Sequence, residues 1–274
     1  MAPPRVPAMT MAEWAEGITD IGDSTPSANL MIYGAPGCGK TALLSELPSA
    51  LLLGFDPGYA TAKTLGRKCQ VRPVADEREL MAGVHWLKDG GHKNYKWIIA
   101  DGLTILQQKM TLANAKEAWE QDNTKRVNAF QPDKPDYFKQ QNALKNAVAA
   151  LCDLPTSVVF TAHAQIGDAD DASEWIRPHL EGREYKLGNF ICGLMSSIGY
   201  MAVREKMKKA KQGTKTIEVP SGEVARRILW EQRYNPDNGQ TIMAKDQLNV
   251  FPKVQEDTTG VEIHELVAGA GLAA

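Results

Sequence analysis

Eight consecutive residues, Gly34-Ala35-Pro36-Gly37-Cys38-Gly39-Lys40-Thr41, carry the densest chemistry in the chain. Their pattern is GxxxxGK followed by Ser or Thr. Glycines at these places let main-chain N–H groups curl around phosphate oxygens. A helix beginning at Lys40 adds the partial positive charge of its N-terminus. Lys40 reaches the β- and γ-phosphates, and the Thr41 hydroxyl can ligate Mg²⁺. The nucleotide-binding set therefore runs from Gly34 through Ala42, with ATP and Mg²⁺ as the expected occupants. Cys38 inside this loop is either a tolerated small residue or a thiol activated by the helix end, whose alkylation would block ATP binding.

Two carboxylates complete the chemistry. WIIAD ends at Asp101, where an acid at a strand end can support the Mg²⁺ shell; Asp is also an ordinary helix N-cap there. Asp56 ends the apolar run ALLLGFD, directly after the phosphate-loop helix. It could act as general base on an attacking water, and Asp56-Pro57-Gly58 is equally a strong turn signal.

These residues need elements to hold them. Leu30–Tyr33 is a short apolar strand that leads into the glycine turn. A helix over Lys40–Leu47 follows and stops at Pro48. Ala50–Phe55 reads as a buried strand, Gln70–Val74 as another, and Trp97–Ala100 as a third, ending on Asp101. Asp76 and Glu79 predict a capped helix that Gly90-Gly91 ends. Leu103 to about Gln121 is helical, residues 122–136 are a polar loop, and Tyr137–Cys152 is a second long helix. Ser157–Ala162 is a strand followed by an acidic loop, with Asp168, Asp170, Asp171 and Glu174. Tyr200–Arg204 and Val224–Glu231 pair as a hairpin. Alternating strands and helices imply right-handed crossovers and an α/β fold with a mainly parallel sheet flanked by helices, to which the late hairpin adds antiparallel strands. The expected layout is a loose N-terminal arm over 1–28, a core over 29–252 and a C-terminal tail over 253–274, weakly ordered from about Thr258.

Bulk properties set limits. A net charge of −2 means that any polyanion contact must come from a local basic patch rather than the whole surface. Such a patch exists: Arg204–Lys215 holds Arg204, Lys206, Lys208, Lys209, Lys211 and Lys215 against one acid. It is either a phosphate-contacting surface or a solvated hairpin tip. The four cysteines form no CxxC pair and read as reduced thiols. No run approaches the ~20 apolar residues that cross a bilayer. The expectation is a soluble cytoplasmic protein with no membrane partner.

The order of these features resembles the RecA-fold ATPases: phosphate loop, acid after the second strand, apolar strand ending in Asp, then a strand ending VVFTAHAQ. It is most similar to the short phage RecA-like proteins, the Sak-type single-strand annealing ATPases grouped with AAA-type phage nucleotide-binding proteins. HLEGREYKLGNF (179–190) and TIMAKDQLNVFP (241–252) are similar to two later family stretches, so the likeness covers about residues 28–252. The resemblance implies a RecA-like core that hydrolyses ATP on single-stranded DNA in a phage-infected host. It implies a homo-oligomer, filament or ring, and a possible single-stranded-DNA-binding protein as partner. Asp56 falls where RecA-like proteins place a catalytic glutamate, and His163 where a polar residue senses the γ-phosphate, with Gln165 as a substitute. Lys245 falls where a neighbouring subunit's basic residue reaches the nucleotide, and Gln247 stands where the family has Arg. Trp175, Arg177 and His179 fall in the loop that touches single-stranded DNA. The rival readings are an ATP-binding switch or loader, a nucleotide kinase and a hexameric helicase motor.

Overall fold

In the computed structural model, the described residues are 26–125, 127–168, 174–182, 186–212, 215–235 and 240–273. Most of the expected N-terminal arm, and Asp170 and Asp171, lie outside them.

The strands form in chain order as β1 (Asn29–Gly34), β2 (Ala50–Gly54), β3 (Gln70–Pro73), β4 (Trp97–Asp101), β5 (Ser157–Asp168), β6 (Glu174–Pro178), β7 (Ser197–Gln212), β8 (Lys215–Leu229), β9 (Arg233–Asn235), β10 (Gln240–Ile242), β11 (Lys245–Asp246) and β12 (Val254–Glu256). The main sheet runs β12-β8-β7-β1-β5-β4-β2-β3. From β7 to β3 every neighbouring pair is parallel; β8 and β12 are antiparallel additions. The expected α/β class with a mainly parallel sheet and a late antiparallel hairpin is the architecture found.

The parallel strands are apolar on both faces, as a sheet covered on both sides requires. Met31, Tyr33, Leu51, Leu53, Ile98, Ala100, Val158 and Phe160 face one layer of helices. That layer holds α3 (Glu77–Lys88), α4 (Leu103–Gln121), α5 (Lys134–Cys152) and α6 (Lys186–Leu194). Leu30, Ile32, Leu52, Trp97, Ile99 and Val159 face the opposite layer. There α1 (Lys40–Leu44) packs beside α7 (Gly260–Gly269), while α2 (Ala60–Thr64) follows β2.

Local chemistry explains the element ends. Asp76 caps α3 by accepting the Glu79 N–H at 2.9 Å, while the Glu79 carboxylate reaches back to the Ala75 N–H. Helix α5 starts three residues before the expected Tyr137, because Asp133 and Asp136 form a reciprocal capping box with Pro135 in the first turn. Helix α1 is shorter than expected: past Leu44 the chain tightens, with Glu46 N–H bonding Leu43 O and Leu47 N–H bonding Leu44 O.

Three segments depart further from what the sequence predicts. Strand β5 does not stop at Ala162 but runs on to Asp168, pairing with β6 (Gln165 opposite Arg177, Gly167 opposite Trp175). Trp175 and Arg177 are therefore on a strand, not in a loop, and β10 and β9 extend that small sheet. The hairpin is far longer than Tyr200–Arg204 with Val224–Glu231, because β7 and β8 stay paired out to Gln212 and Lys215. The expected weakly ordered tail is instead part of the core. Strand β12 pairs with β8, and α7 buries Ile263 and Val267 completely. Gly260 makes the docking of α7 possible: a Cβ there would stand 2.6 Å from Leu43 O, and its N–H bonds Glu46 Oε2 at 2.9 Å.

Candidate functional site

The C-terminal ends of the parallel strands form one edge, and the functional side chains collect there. Gly34 at the end of β1 lies opposite His163 of β5, and Gly54 at the end of β2 lies opposite Asp101 of β4. Strand β5 sits between the phosphate-loop strand and the Asp101 strand, so its residue Thr161 stands between their chemistry.

Gly37 and Gly39 hold φ values of 76° and 101°, in the region where a side chain is strained, which turns the loop's amides inward. Gly34 must also lack a side chain, since a Cβ would meet Met201 O at 2.2 Å. The Lys40 ammonium is buried and donates to Gly34 O and Ala35 O, both at 3.0 Å, with Cys38 Sγ at 3.7 Å. Among the described residues it forms no ion pair, so its charge is held for an anion that the loop itself does not supply.

The Thr41 hydroxyl donates to Asp101 Oδ2 at 2.7 Å, and the Thr161 hydroxyl donates to Asp101 Oδ1 at 2.6 Å while accepting the Gly102 N–H at 2.7 Å. Asp101 is buried, and burial pushes its carboxyl above the usual carboxylate range; the two hydroxyls and Lys40 oppose this, while Asp56 adds to it. Hydroxyl and carboxylate oxygens side by side suit a hard divalent cation such as Mg²⁺. Thr41 and Asp101 would hold that cation, which would neutralise charge developing on phosphate oxygens.

Asp56 follows the end of β2 and opens a short turn, with Oδ1 accepting the Gly58 N–H at 2.6 Å. Both readings of this residue thus have a structural counterpart: it caps the turn, and it lines the same cavity as Lys40, Thr41 and Asp101. The Lys109 ammonium bonds Phe55 O at 2.5 Å, fixing the backbone just before it.

The cavity has a volume of about 290 Å³ and is lined by Pro36, Gly37, Gly39, Lys40, Thr41 and Ala42 of the loop, and by Asp56, Asp101, Thr161 and His163. His163 is half-buried; burial first, then the Lys40 charge, pushes its imidazole below the usual range, so it is neutral at pH 7. Its backbone N–H donates to the Thr104 hydroxyl, which donates to His179 O, and His163 O accepts the His179 N–H.

Other sequence candidates lie elsewhere. Lys245 pairs through β11 with Ile198 near the start of β7, toward the opposite end of the sheet from Gly34. It is half-buried, burial lowers its ammonium, and it does not line the cavity of its own chain. Asp246, beside it, is a latch: it accepts from the Ser197 hydroxyl at 2.7 Å and the Phe251 N–H at 2.8 Å. On the hairpin, Arg204, Lys208 and Lys209 are exposed, whereas Lys206 is tied to Asp257 at 2.6 Å. The Lys211 side chain lies outside the described set.

Thr161 and Thr104 were not singled out from sequence. The only signal for Thr161 is a hydroxyl in the apolar strand VVFTAHAQ, and its role becomes visible once β5 is known to lie between β1 and β4. Among the described residues, no helix is long and apolar enough to cross a membrane.

The AAA domain family matches residues 27–247. No curated protein matches the chain. Among solved structures, it is similar to a KaiC-like protein, PH0186, from the hyperthermophilic archaeon Pyrococcus horikoshii OT3. That similarity has 11% identity and a TM-score of 0.36, over 74% of this chain and 78% of that one. The family match spans most of the chain and includes every residue of the cavity described above, so the chain belongs to the AAA domain family, as a P-loop ATPase.

Proposed function

We propose that this ATPase is RecA-like in action: it hydrolyses ATP with Mg²⁺ while bound to single-stranded DNA, and assembles on that DNA as a homo-oligomer. The observation that carries the reading is the continuity of β5. Thr161 and His163 of this strand line the nucleotide cavity, and from Ala164 onward the same strand pairs with β6, with Gly167 opposite Trp175. An aromatic beside an arginine suits base stacking. In support of this reading, hydrogen bonds through Thr104 and the His163 and His179 backbones tie the cavity-lining part of β5 to the residue that follows β6. The exposed Arg204, Lys208 and Lys209 add a non-specific phosphate contact on the hairpin.

In hydrolysis, Lys40 leaves the Gly34 and Ala35 carbonyls for the phosphates. Thr41 and Asp101 would hold the Mg²⁺, whose charge would offset that of the phosphate oxygens. Asp56 Oδ2, the oxygen not engaged by Gly58, accepts the proton of the attacking water. His163 responds to the γ-phosphate through a hydrogen bond from its imidazole. Lys245 would reach a nucleotide only across a subunit interface, where its cation would stabilise transition-state charge.

The test is ATP hydrolysis with and without single-stranded DNA, for the wild type and for a Lys208→Glu, Lys209→Glu double variant. The reading expects stimulation by DNA that weakens with salt and is reduced in the variant. A rate indifferent to DNA would favour the switch or loader instead.

A further inference from the structure

Strand β8 places a second cation against the phosphate loop. Arg226 and Arg227 are adjacent, so their side chains leave opposite faces of the sheet. Arg227 is half-buried and pairs with Glu256 at 3.3 Å. Arg226 turns toward Gly39: the position a Cβ would take on that glycine lies 2.6 Å from Arg226 Nε, 3.1 Å from Cζ and 3.3 Å from Nη2. The guanidinium thus occupies room that exists because residue 39 has no side chain. It reaches the loop from the hairpin side and is not part of the cavity wall itself.

Two facts make this placement more than packing. Among the described residues, the Arg226 guanidinium forms no ion pair. The neighbouring acid, Asp257, is bonded to Lys206 at 2.6 Å and feels the Arg226 charge only as a lesser influence on its carboxyl. The backbone at Arg226 is also fixed: its N–H donates to Asp257 Oδ1 at 3.1 Å, and its carbonyl accepts the Asp257 N–H at 2.7 Å. Asp257 takes a φ of 50° in making that clasp. An exposed guanidinium beside a phosphate-binding glycine, on a backbone that Asp257 holds in place, is matched to the bidentate recognition of phosphate oxygens.

We propose that Arg226 is a nucleotide-binding residue supplied by the same chain, its guanidinium bonding the phosphate chain of a nucleoside di- or triphosphate held on Gly34–Thr41. The side chain moves from beside Gly39 onto the ligand, and Lys40 is then one of two cations on the phosphates. Because β8 also forms half of the basic hairpin, nucleotide occupancy is felt directly by that hairpin. The inference rests on the phosphate loop holding a nucleotide and is independent of DNA.

The experiment measures dissociation constants of fluorescent N-methylanthraniloyl-ADP and -ATP for the wild type and for Arg226→Ala, Arg226→Gln, Arg226→Lys and Lys40→Ala, each checked by thermal melting. Arg226→Ala and Arg226→Gln should weaken binding roughly tenfold or more, the scale of a lost hydrogen bond to a charged group. Arg226→Lys, which keeps the charge but not the planar fork, should recover only part of the loss, whereas a merely packing side chain would be replaced equally well by Lys and by Gln. Should Arg226→Ala melt early, Arg226→Gln, which keeps most of the stem, decides the matter. Binding within twofold of wild type in Arg226→Gln, with Lys40→Ala inactive, overturns the proposal and leaves the nucleotide site standing. Unaltered binding in Lys40→Ala as well overturns both.

Discussion

At the scale of single residues, the site is organised around a carboxylate that the fold holds at a cost. Asp101 is buried, and its carboxyl is raised because burial disfavours the charged form. A raised acid favours the fold at low pH, and that contribution is lost as pH climbs through the raised value, so at neutral pH the ionised group opposes folding. Asp101→Asn should therefore raise the Tm of the nucleotide-free protein at pH 7 by a few degrees, since the amide can still meet the Thr41 and Thr161 hydroxyls. The same change should lower ATP turnover by about a hundredfold or more, the scale set by losing one electrostatic support of a transition state. Calorimetry and a turnover assay on one sample check both; an Asp101→Asn protein that melts earlier than wild type would show that the carboxylate holds the fold together. Much of this chemistry was legible in the sequence, because Gly34–Thr41 is a local motif whose spacing is its mechanism. Thr161 and Arg226 were not, since each acts on a residue more than 50 positions away, through pairings that no local pattern encodes.

Among the elements, boundaries set by side-chain caps were readable and those set by strand pairing were not. Helix α4 spans the expected Leu103–Gln121, and Asp76 caps α3 as expected. Strand β5 outran its expected end because residues after Ala162 take their extended shape from β6 rather than from an apolar run. Helix α7 was missed for a compositional reason: GVEIHELVAGAG is rich in glycine and alanine, yet Ile263 and Val267 sit on one face at helical spacing and a Thr259–Glu262 capping box starts the helix. The structure makes that segment an integral layer, and Ile263→Ala should cost about 2–5 kcal/mol, the range for a buried aliphatic truncation. Urea unfolding followed by circular dichroism measures this; a loss below about 0.5 kcal/mol would mean that α7 is a peripheral attachment.

For the molecule as a whole, one sheet edge gathers everything the account requires. Strand order puts β5 between β1 and β4, so Thr41, Asp101 and Thr161 share two carboxylate oxygens, while Lys40, Asp56 and His163 close the same cavity. From that edge β5 continues to the Trp175 strand, and β7 and β8 continue into the basic hairpin. The exposed Arg204, Lys208 and Lys209 thus lie on a hairpin whose strand β7 runs beside the phosphate-loop strand. The class and the parallel core followed from alternating strands and helices; the second small sheet did not, because it is built from pairings between segments distant in sequence. The most direct trial of the whole account is phosphate release from ATP, with and without Mg²⁺, by the wild type and by Lys40→Ala. Mg²⁺-dependent turnover is expected in the wild type and none above background in the variant; equal turnover by the two proteins would rule out catalysis at the Lys40 loop.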